Sequence, residues 1–356
     1  MNKPFHTEKV AVRPLGAGIH VELARPGAIN SLDMDMIRGL DTVFRQAGED
    51  PDCAFVLVTG AGKRGFCAGG DIKALYGYVT DGDFEAADRL FAEEYAMDLL
   101  IHRLDKPVVV LAHGITMGGG LGLAAGADLV LCDESTTMAM PETRIGFFPD
   151  VGATGWLHER CLPGYPEYLA LCGCEQQGAE CARIGLATHQ ARNLRATAGI
   201  LETFAPMDRE PRREAAARIA ALLAPLLRDV FTTREQAKRD AWVEKMFHGR
   251  TLLERTIDDL ANEGTASGRE ALSRVGARSP TAQALALALL HANRGRPMER
   301  VFEAERTAAR FMVRHHDYAE GVRAQIIDKD HSPRWKPARP GDVVLPEDLL
   351  RELARP

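Results

Sequence analysis

No part of this sequence stays apolar for long. The longest runs, such as Pro107 to Ala112, fall far short of the roughly 20 residues a membrane helix needs. The opening segment, MNKPFHTEKVAVRP, lacks the apolar stretch of a secretory leader. Cysteines number seven, scattered and odd in count, which argues against a disulfide framework and for reduced thiols. Cys172 and Cys174 have no second pair nearby, so zinc is not indicated. Nor is there a surplus of positive charge: 44 Lys and Arg stand against 50 Asp and Glu, for a net charge of -6. A chain that tracks phosphates usually carries a basic face, so nucleic acid is not an expected partner. An anionic small molecule held by a few local Lys and Arg side chains is not excluded. No low-complexity linker interrupts the chain. These absences lead to the expectation of a soluble, cytoplasmic protein with neither a membrane nor a nucleic acid as partner.

What is present suits a folded globular protein: 356 residues, 46% apolar and 26% charged. The first half alternates short strands with helices. Gly18 to Ala24 alternates like a half-buried strand, and Ile37, Leu40, Phe44 and Ala47 recur at a helical period behind a cap at Ser31 or Asp33. Phe55 to Thr59 predicts a buried strand ending at Gly60-Ala-Gly62. Helical sequence from about Asp83 to His102 leads to a strand at Val108 to Ala112, a glycine turn, and a small-residue helix through Ala125. Strands follow at Leu129 to Cys132 and around Thr137 to Met140. Strands joined by crossover helices point to an α/β core, mainly parallel or spiral. Beyond about residue 200 the chain turns helical, at Arg212 to Leu227 and Pro280 to Arg314. We therefore expect a core over residues 1–200 and a helical region over 201–356. The tail around Pro333 to Pro337, and again from Pro346 onward, is expected to run extended over the surface.

Two glycine turns follow apolar strands, Gly65-Phe-Cys-Ala-Gly-Gly-Asp71 and Met117-Gly-Gly-Gly120. Glycine lets backbone N–H groups approach a ligand closely, and the second turn opens a helix, where N–H donors are unspent. Together such turns can supply two donors to a developing oxyanion, although either alone equally suits a tight turn. Neither ends in Gly-Lys-Ser/Thr, so neither is a phosphate loop. Glu142 and Asp150 flank the apolar Phe147-Phe148 pair as candidate acid–base groups, or as a surface charge and a helix cap. Glu94 interrupts an apolar helical stripe of Ala87, Leu90, Met97 and Ile101; it either reaches solvent at the stripe edge or is a buried carboxylate. Cys67 has no visible partner that would make it a nucleophile, and the histidines show no ligand spacing.

At these residues the sequence resembles the crotonase (enoyl-CoA hydratase/isomerase) superfamily. Phe66-Cys-Ala-Gly-Gly-Asp-Ile-Lys73 is similar to its first oxyanion segment and His113-Gly-Ile-Thr-Met-Gly-Gly-Gly-Leu-Gly122 to its second. The resemblance implies a spiral core of repeated ββα units with a helical C-terminal region, and N–H groups of Gly70 and Gly119 holding a thioester oxygen. Within the superfamily the likeness is nearer to the 3-hydroxyisobutyryl-CoA hydrolases. It runs through Glu93-Glu-Tyr95, Met140 to Gly152, Gly185-Leu-Ala-Thr-His189, Glu320-Gly-Val-Arg-Ala324 and Ile327 to Pro337, and thins between about residues 200 and 265. Carried over, it puts Glu94, Gly119, Glu142 and Asp150 at catalytic or substrate-binding positions. Hydratases of the superfamily place a second glutamate where this chain has Gly122, which favours thioester hydrolysis over hydration. The implied reaction uses Glu142 as nucleophile or base, with Asp150 and Glu94 on the acyl 3-hydroxyl. Lys63, Arg64 and Lys73, with Ala68, are candidate contacts for coenzyme A. No cofactor is implied, since coenzyme A is part of the substrate, and relatives in the superfamily form trimers or hexamers. The alternatives are an enoyl-CoA hydratase or isomerase, and a non-catalytic acyl-CoA-binding protein.

Overall fold

Each apolar strand that ends at a turn feeds a second, shorter strand. In the computed structural model, which describes residues 8–355, Val56–Gly60 is followed by Gly65–Cys67, Val108–Ala112 by Ile115–Met117, and Leu129–Cys132 by Thr137–Ala139. The first member of each pair joins a seven-stranded sheet and the second a four-stranded sheet. Helices Ile72–Thr80 and Gly119–Ala125 follow the first two pairs, and a 3-10 turn, Glu142–Ile145, follows the third. The expected spiral of ββα units is therefore present.

The large sheet is parallel through its centre, where Val56–Gly60, Val108–Ala112 and Leu129–Cys132 lie side by side. Antiparallel strands Val10–Leu15 and Leu227–Arg228 form its edges. Val108–Ala112 is buried at every position, as a parallel strand covered on both faces must be. One face packs Phe55, Leu57, Val109, Leu111 and Leu131 against Ile219 and Leu223, which stand four residues apart on helix Arg212–Leu223. That helix stops where Pro225 removes a backbone donor. Helix Met34–Glu49 begins at Asp33, whose side chain accepts the Met36 N–H at 3.0 Å. Asp33, and not Ser31, is the cap.

The chain forms two compact units. The first runs to Gly70 and includes Ala96–Met138 and Gln176–Phe231; it holds the paired strands of both sheets. The second comprises Asp71–Tyr95, Ala139–Glu175 and the chain from Thr232 onward, and is mainly helical. The units interleave along the chain, whereas the expected boundary at residue 200 follows composition along the sequence.

One expectation is corrected. The stretch from Pro346 does not run extended: Glu347–Leu353 is a helix, with Leu349 and Leu353 buried. Two leucines four residues apart share one helical face, and burying them outweighs the short length. Among the described residues no helix is long and apolar enough to cross a membrane.

Candidate active site

The first unit supplies the donor pair. Asn30 is fully buried, and its amide donates to the carbonyls of Ala61, Gly65 and Phe66 at 3.0, 3.2 and 3.0 Å. It ties the end of one strand to the start of the first glycine turn. The Leu32 N–H donates to the Gly69 carbonyl at 2.8 Å, holding that turn from below. A Cβ added to Gly69, whose φ is +99°, would lie 3.0 Å from the Met117 carbonyl and 3.3 Å from the Gly119 nitrogen. The two glycine turns therefore press backbone against backbone. Among the described residues neither the Gly70 N–H nor the Gly119 N–H has an acceptor. Two adjacent unspent donors are what an oxyanion requires.

Arg212 holds the helix that Gly119 opens from its other end. Its guanidinium donates to the Gly126 carbonyl at 2.7 Å and pairs with Asp128 at 3.0 Å. A Cβ on Gly120 would fall 2.4 Å from the Cys67 carbonyl. Gly120→Ala is therefore expected to push the donor turns apart. Overpacking of this kind costs about 1–3 kcal/mol, so thermal unfolding should shift down by several degrees, with activity falling further than stability. An unchanged melting temperature with full activity would refute the close packing.

The second unit carries the carboxylates. Glu142 opens the 3-10 turn Glu142–Ile145, and that turn is clamped. The Thr143 hydroxyl donates to the Ala170 carbonyl at 3.2 Å, and the Thr143 carbonyl accepts the Ser279 N–H at 3.3 Å. A Cβ on Gly146 would lie 2.0 Å from the Asp317 carbonyl, and one on Gly321 would lie 2.3 Å from the Ile145 carbonyl carbon. Helix His316–Val322 thus lies directly on the turn that bears Glu142. The run Glu320-Gly-Val-Arg-Ala324 has a structural reason at its glycine.

Glu94, Glu142 and Asp150 are 3%, 8% and 7% exposed, so all three are buried carboxylates and none is a surface charge. Tyr95 donates its hydroxyl to Asp150 Oδ2 at 2.7 Å. Phe91, Phe147 and Phe148 stack in series, with ring centroids 5.4 and 4.6 Å apart, while Phe302 and Tyr318 lie against Tyr95 and Phe147. Tyr95 ties this aromatic cluster to Asp150. Burial, and then the Asp150 charge, pushes Glu94 up to about 8 and holds Glu142 well above the ordinary carboxylate range. Burial raises Asp150 to about 7, against the opposing hydrogen bond from Tyr95. Among the described residues Glu142 Oε2 is buried without a hydrogen-bond partner. An unpartnered carboxylate oxygen is poised to meet a substrate, because leaving it unmet is costly.

These shifts have a consequence for stability. A carboxyl whose folded pKa lies above its unfolded value binds more protons when folded. Asp150, raised from 3.8 to about 7, therefore stabilises the fold most at low pH and loses that contribution as pH rises through about 7. Glu94, near 8, has the same sign. The melting temperature should fall between about pH 4 and about pH 8, and Asp150→Asn should flatten that fall. A fall of equal size in the variant would remove Asp150 as its source.

The other expected contacts lie on the surface. Lys63, Arg64 and Lys73 are exposed, and Arg64 donates to the carbonyls of Pro26 and Gly27 at 2.8 and 2.6 Å. The Ala68 N–H is spent on the Ile29 carbonyl at 2.9 Å. All seven cysteines are free thiols, and Cys67 is buried. Among the described residues no cluster of His, Cys, Asp and Glu could hold a metal. Glu305 was not singled out from the sequence, yet it is fully buried beside Thr154 and Gly152. Its helix, Met298–Met312, places it on the same stripe as Val301, Phe302, Ala308 and Met312. A glutamate on an apolar stripe is the signal that drew attention to Glu94, and it was available here too.

The chain is similar to known proteins along most of its length. Residues 19–348 match the profile of the enoyl-CoA hydratase/isomerase family. The mitochondrial 3-hydroxyisobutyryl-CoA hydrolase of Rattus norvegicus is 33% identical over 98% of this chain and 89% of its own length. That of Gallus gallus is 35% identical over 91% of this chain and 83% of its own. Among solved structures, a carnitinyl-CoA dehydratase from Mycobacterium thermoresistibile is 30% identical with a TM-score of 0.84, covering 98% of this chain and 97% of that one. An enoyl-CoA hydratase from Rhodobacter sphaeroides is 28% identical with a TM-score of 0.81, over 98% and 97%. The hydrolases are named as mitochondrial, so they lend no support to the expected cytoplasmic setting.

Proposed function

The chain belongs to the enoyl-CoA hydratase/isomerase family, and from that premise we propose that it hydrolyses (S)-3-hydroxyisobutyryl-CoA to 3-hydroxyisobutyrate and free coenzyme A. The curated relatives carry that activity in their names, while the solved structures are titled as a dehydratase and a hydratase. Gly122 carries the choice between them. It is a buried residue of helix Gly119–Ala125, at the position where the superfamily's hydratases hold a second glutamate. Hydration needs two carboxylates on the C=C bond; breaking a thioester needs one carboxylate and an oxyanion site.

In this reading the Gly70 and Gly119 N–H groups hold the thioester oxygen as it becomes an oxyanion. Removal of one such donor typically costs about 10²–10³ in rate. Glu142 attacks the carbonyl carbon, the C–S bond breaks and water then hydrolyses the acyl–Glu142 anhydride, or Glu142 draws a proton from a water that attacks the carbonyl and the C–S bond breaks. In either route the thiolate takes a proton that water supplies. Asp150 and Glu94 bind the acyl 3-hydroxyl. Lys63, Arg64 and Lys73, with the backbone near Ala68, meet the nucleotide end of coenzyme A. Water and side chains suffice, so the proposal includes no cofactor. Assembly into trimers or hexamers, carried from the superfamily, is read by sedimentation.

Purified protein should release free thiol from 3-hydroxyisobutyryl-CoA faster than from isobutyryl-CoA. The dehydratase and hydratase titles support a second reading, enoyl-CoA hydration, which would lower the enoyl absorbance of crotonyl-CoA without releasing thiol. That outcome in place of thiol release would overturn the hydrolase reading.

A further inference from the structure

We infer that Glu305 is a positioning residue: its carboxylate locks the turn Asp150-Val151-Gly152, and so aims Asp150 at the acyl hydroxyl. This rests on the reading of Asp150 given above. The turn is strained. Val151 has φ +52° and Gly152 φ +80°, and a β-branched residue in the left-handed region does not stay there unaided. Helix Ala153–Arg160 begins immediately after, and Gly152 at its cap has no side chain to satisfy the first donors.

Glu305 supplies what the turn lacks from more than 150 positions away in sequence. One carboxylate oxygen accepts the Gly152 N–H at 2.6 Å; the other accepts the Thr154 N–H at 3.0 Å and the Thr154 hydroxyl at 2.6 Å. The direction of the last bond is settled by Asn293, whose amide donates to the Thr154 hydroxyl at 2.8 Å and leaves that hydroxyl to donate onward. Glu305 and Asn293 are both 0% exposed. Two further contacts close the turn. The Trp156 indole donates to the Val151 carbonyl at 3.2 Å, and a Cβ on Gly152 would meet Met298 and Phe302 at 2.6 and 3.0 Å.

Donors therefore converge on both carboxylate oxygens, and only an acceptor at both positions satisfies them. Glutamine has nearly the same shape but carries an NH₂ in place of one oxygen. Whichever way its amide is turned, a donor faces a buried backbone N–H, at Gly152 or at Thr154. Glu305→Gln thus breaks the lock with almost no change in volume, whereas Glu305→Ala would add a cavity and confound the result.

The test compares wild type, Glu305→Gln, Asp150→Asn and the double variant in two ways. The first is kcat/KM for 3-hydroxyisobutyryl-CoA against isobutyryl-CoA. A loosened positioning group costs on the order of 10²-fold, so Glu305→Gln should lose about that on the hydroxylated substrate and much less on isobutyryl-CoA. The double variant should fall no further than Asp150→Asn alone. The second is amide hydrogen exchange, which should quicken over residues 150–156 in Glu305→Gln while the central sheet strands keep wild-type protection. Equal losses on both substrates, or unchanged exchange at 150–156, would overturn the inference. If Asp150→Asn itself leaves the substrate ratio unchanged, the hydroxyl-binding role of Asp150 fails, and the exchange measurement alone then decides whether Glu305 holds the turn.

Discussion

Glu142→Gln is expected to lower kcat for thioester hydrolysis by about 10²–10⁴-fold, the range that a positioned acid–base group contributes, with little change in KM. The amide can neither attack a carbonyl nor take a proton from water. The variant should also fold at least as well as wild type. Burial and the neighbouring Asp150 disfavour the Glu142 charge, and among the described residues Glu142 Oε2 has no partner whose loss would be felt. A buried charge kept for chemistry at a cost in stability is the signature expected here. The pH profile should agree: the proposed role needs Glu142 as a carboxylate, so kcat/KM should fall on acidification well above the ordinary glutamate range. Label in the Glu142 carboxylate after one turnover in oxygen-18 water would mark direct attack, with water entering at the Glu142 carbonyl of the anhydride. Near-normal turnover in Glu142→Gln would remove the residue from the mechanism.

The second large effect belongs to Asp150. A site built to bind a hydroxyl can discriminate by up to about 10⁴–10⁵ against an analogue that lacks it, because its buried polar groups are then unmet. Asp150 fits that description. It is buried, one oxygen is held by the Tyr95 hydroxyl at 2.7 Å, and burial brings its pKa to about 7. Asp150→Asn preserves the shape and the bond from Tyr95 but removes the charge-assisted contact to the substrate. Hydrolysis of 3-hydroxyisobutyryl-CoA should drop by at least about tenfold more than that of isobutyryl-CoA, in keeping with the strength of charged hydrogen bonds. Equal losses on the two substrates would show that Asp150 does not read the hydroxyl.

Much of this was legible along the chain. The strands Val56–Gly60, Val108–Ala112 and Leu129–Cys132 lie where their apolar runs predict, because buried parallel strands have to be continuous in hydrophobicity, and Gly18–Leu23 lies where its alternation predicts. The glycine turns announced close backbone approach, and Gly69 and Gly120 show it in the space their missing Cβ atoms would fill. Glu94 stood out because a carboxylate on an apolar stripe breaks a strong pattern. The helix at Glu347–Leu353 was missed, since two leucines in a short tail carry too little periodicity to be separated from a loop.

Local pattern, then, was enough to place the main strands and the glycine turns of this protein and to raise Glu94, Glu142 and Asp150 as candidates, because each is set by neighbours within a few residues. Tertiary structure alone decided which carboxylates are buried and how their turns are held. Glu142 is buried, and the turn that bears it rests on Asp317 and Gly321, far along the chain. The lock on Asp150 comes from Glu305, more than 150 residues on. Desolvation and hydrogen-bond convergence are properties of packed neighbours in space, and sequence order does not carry them.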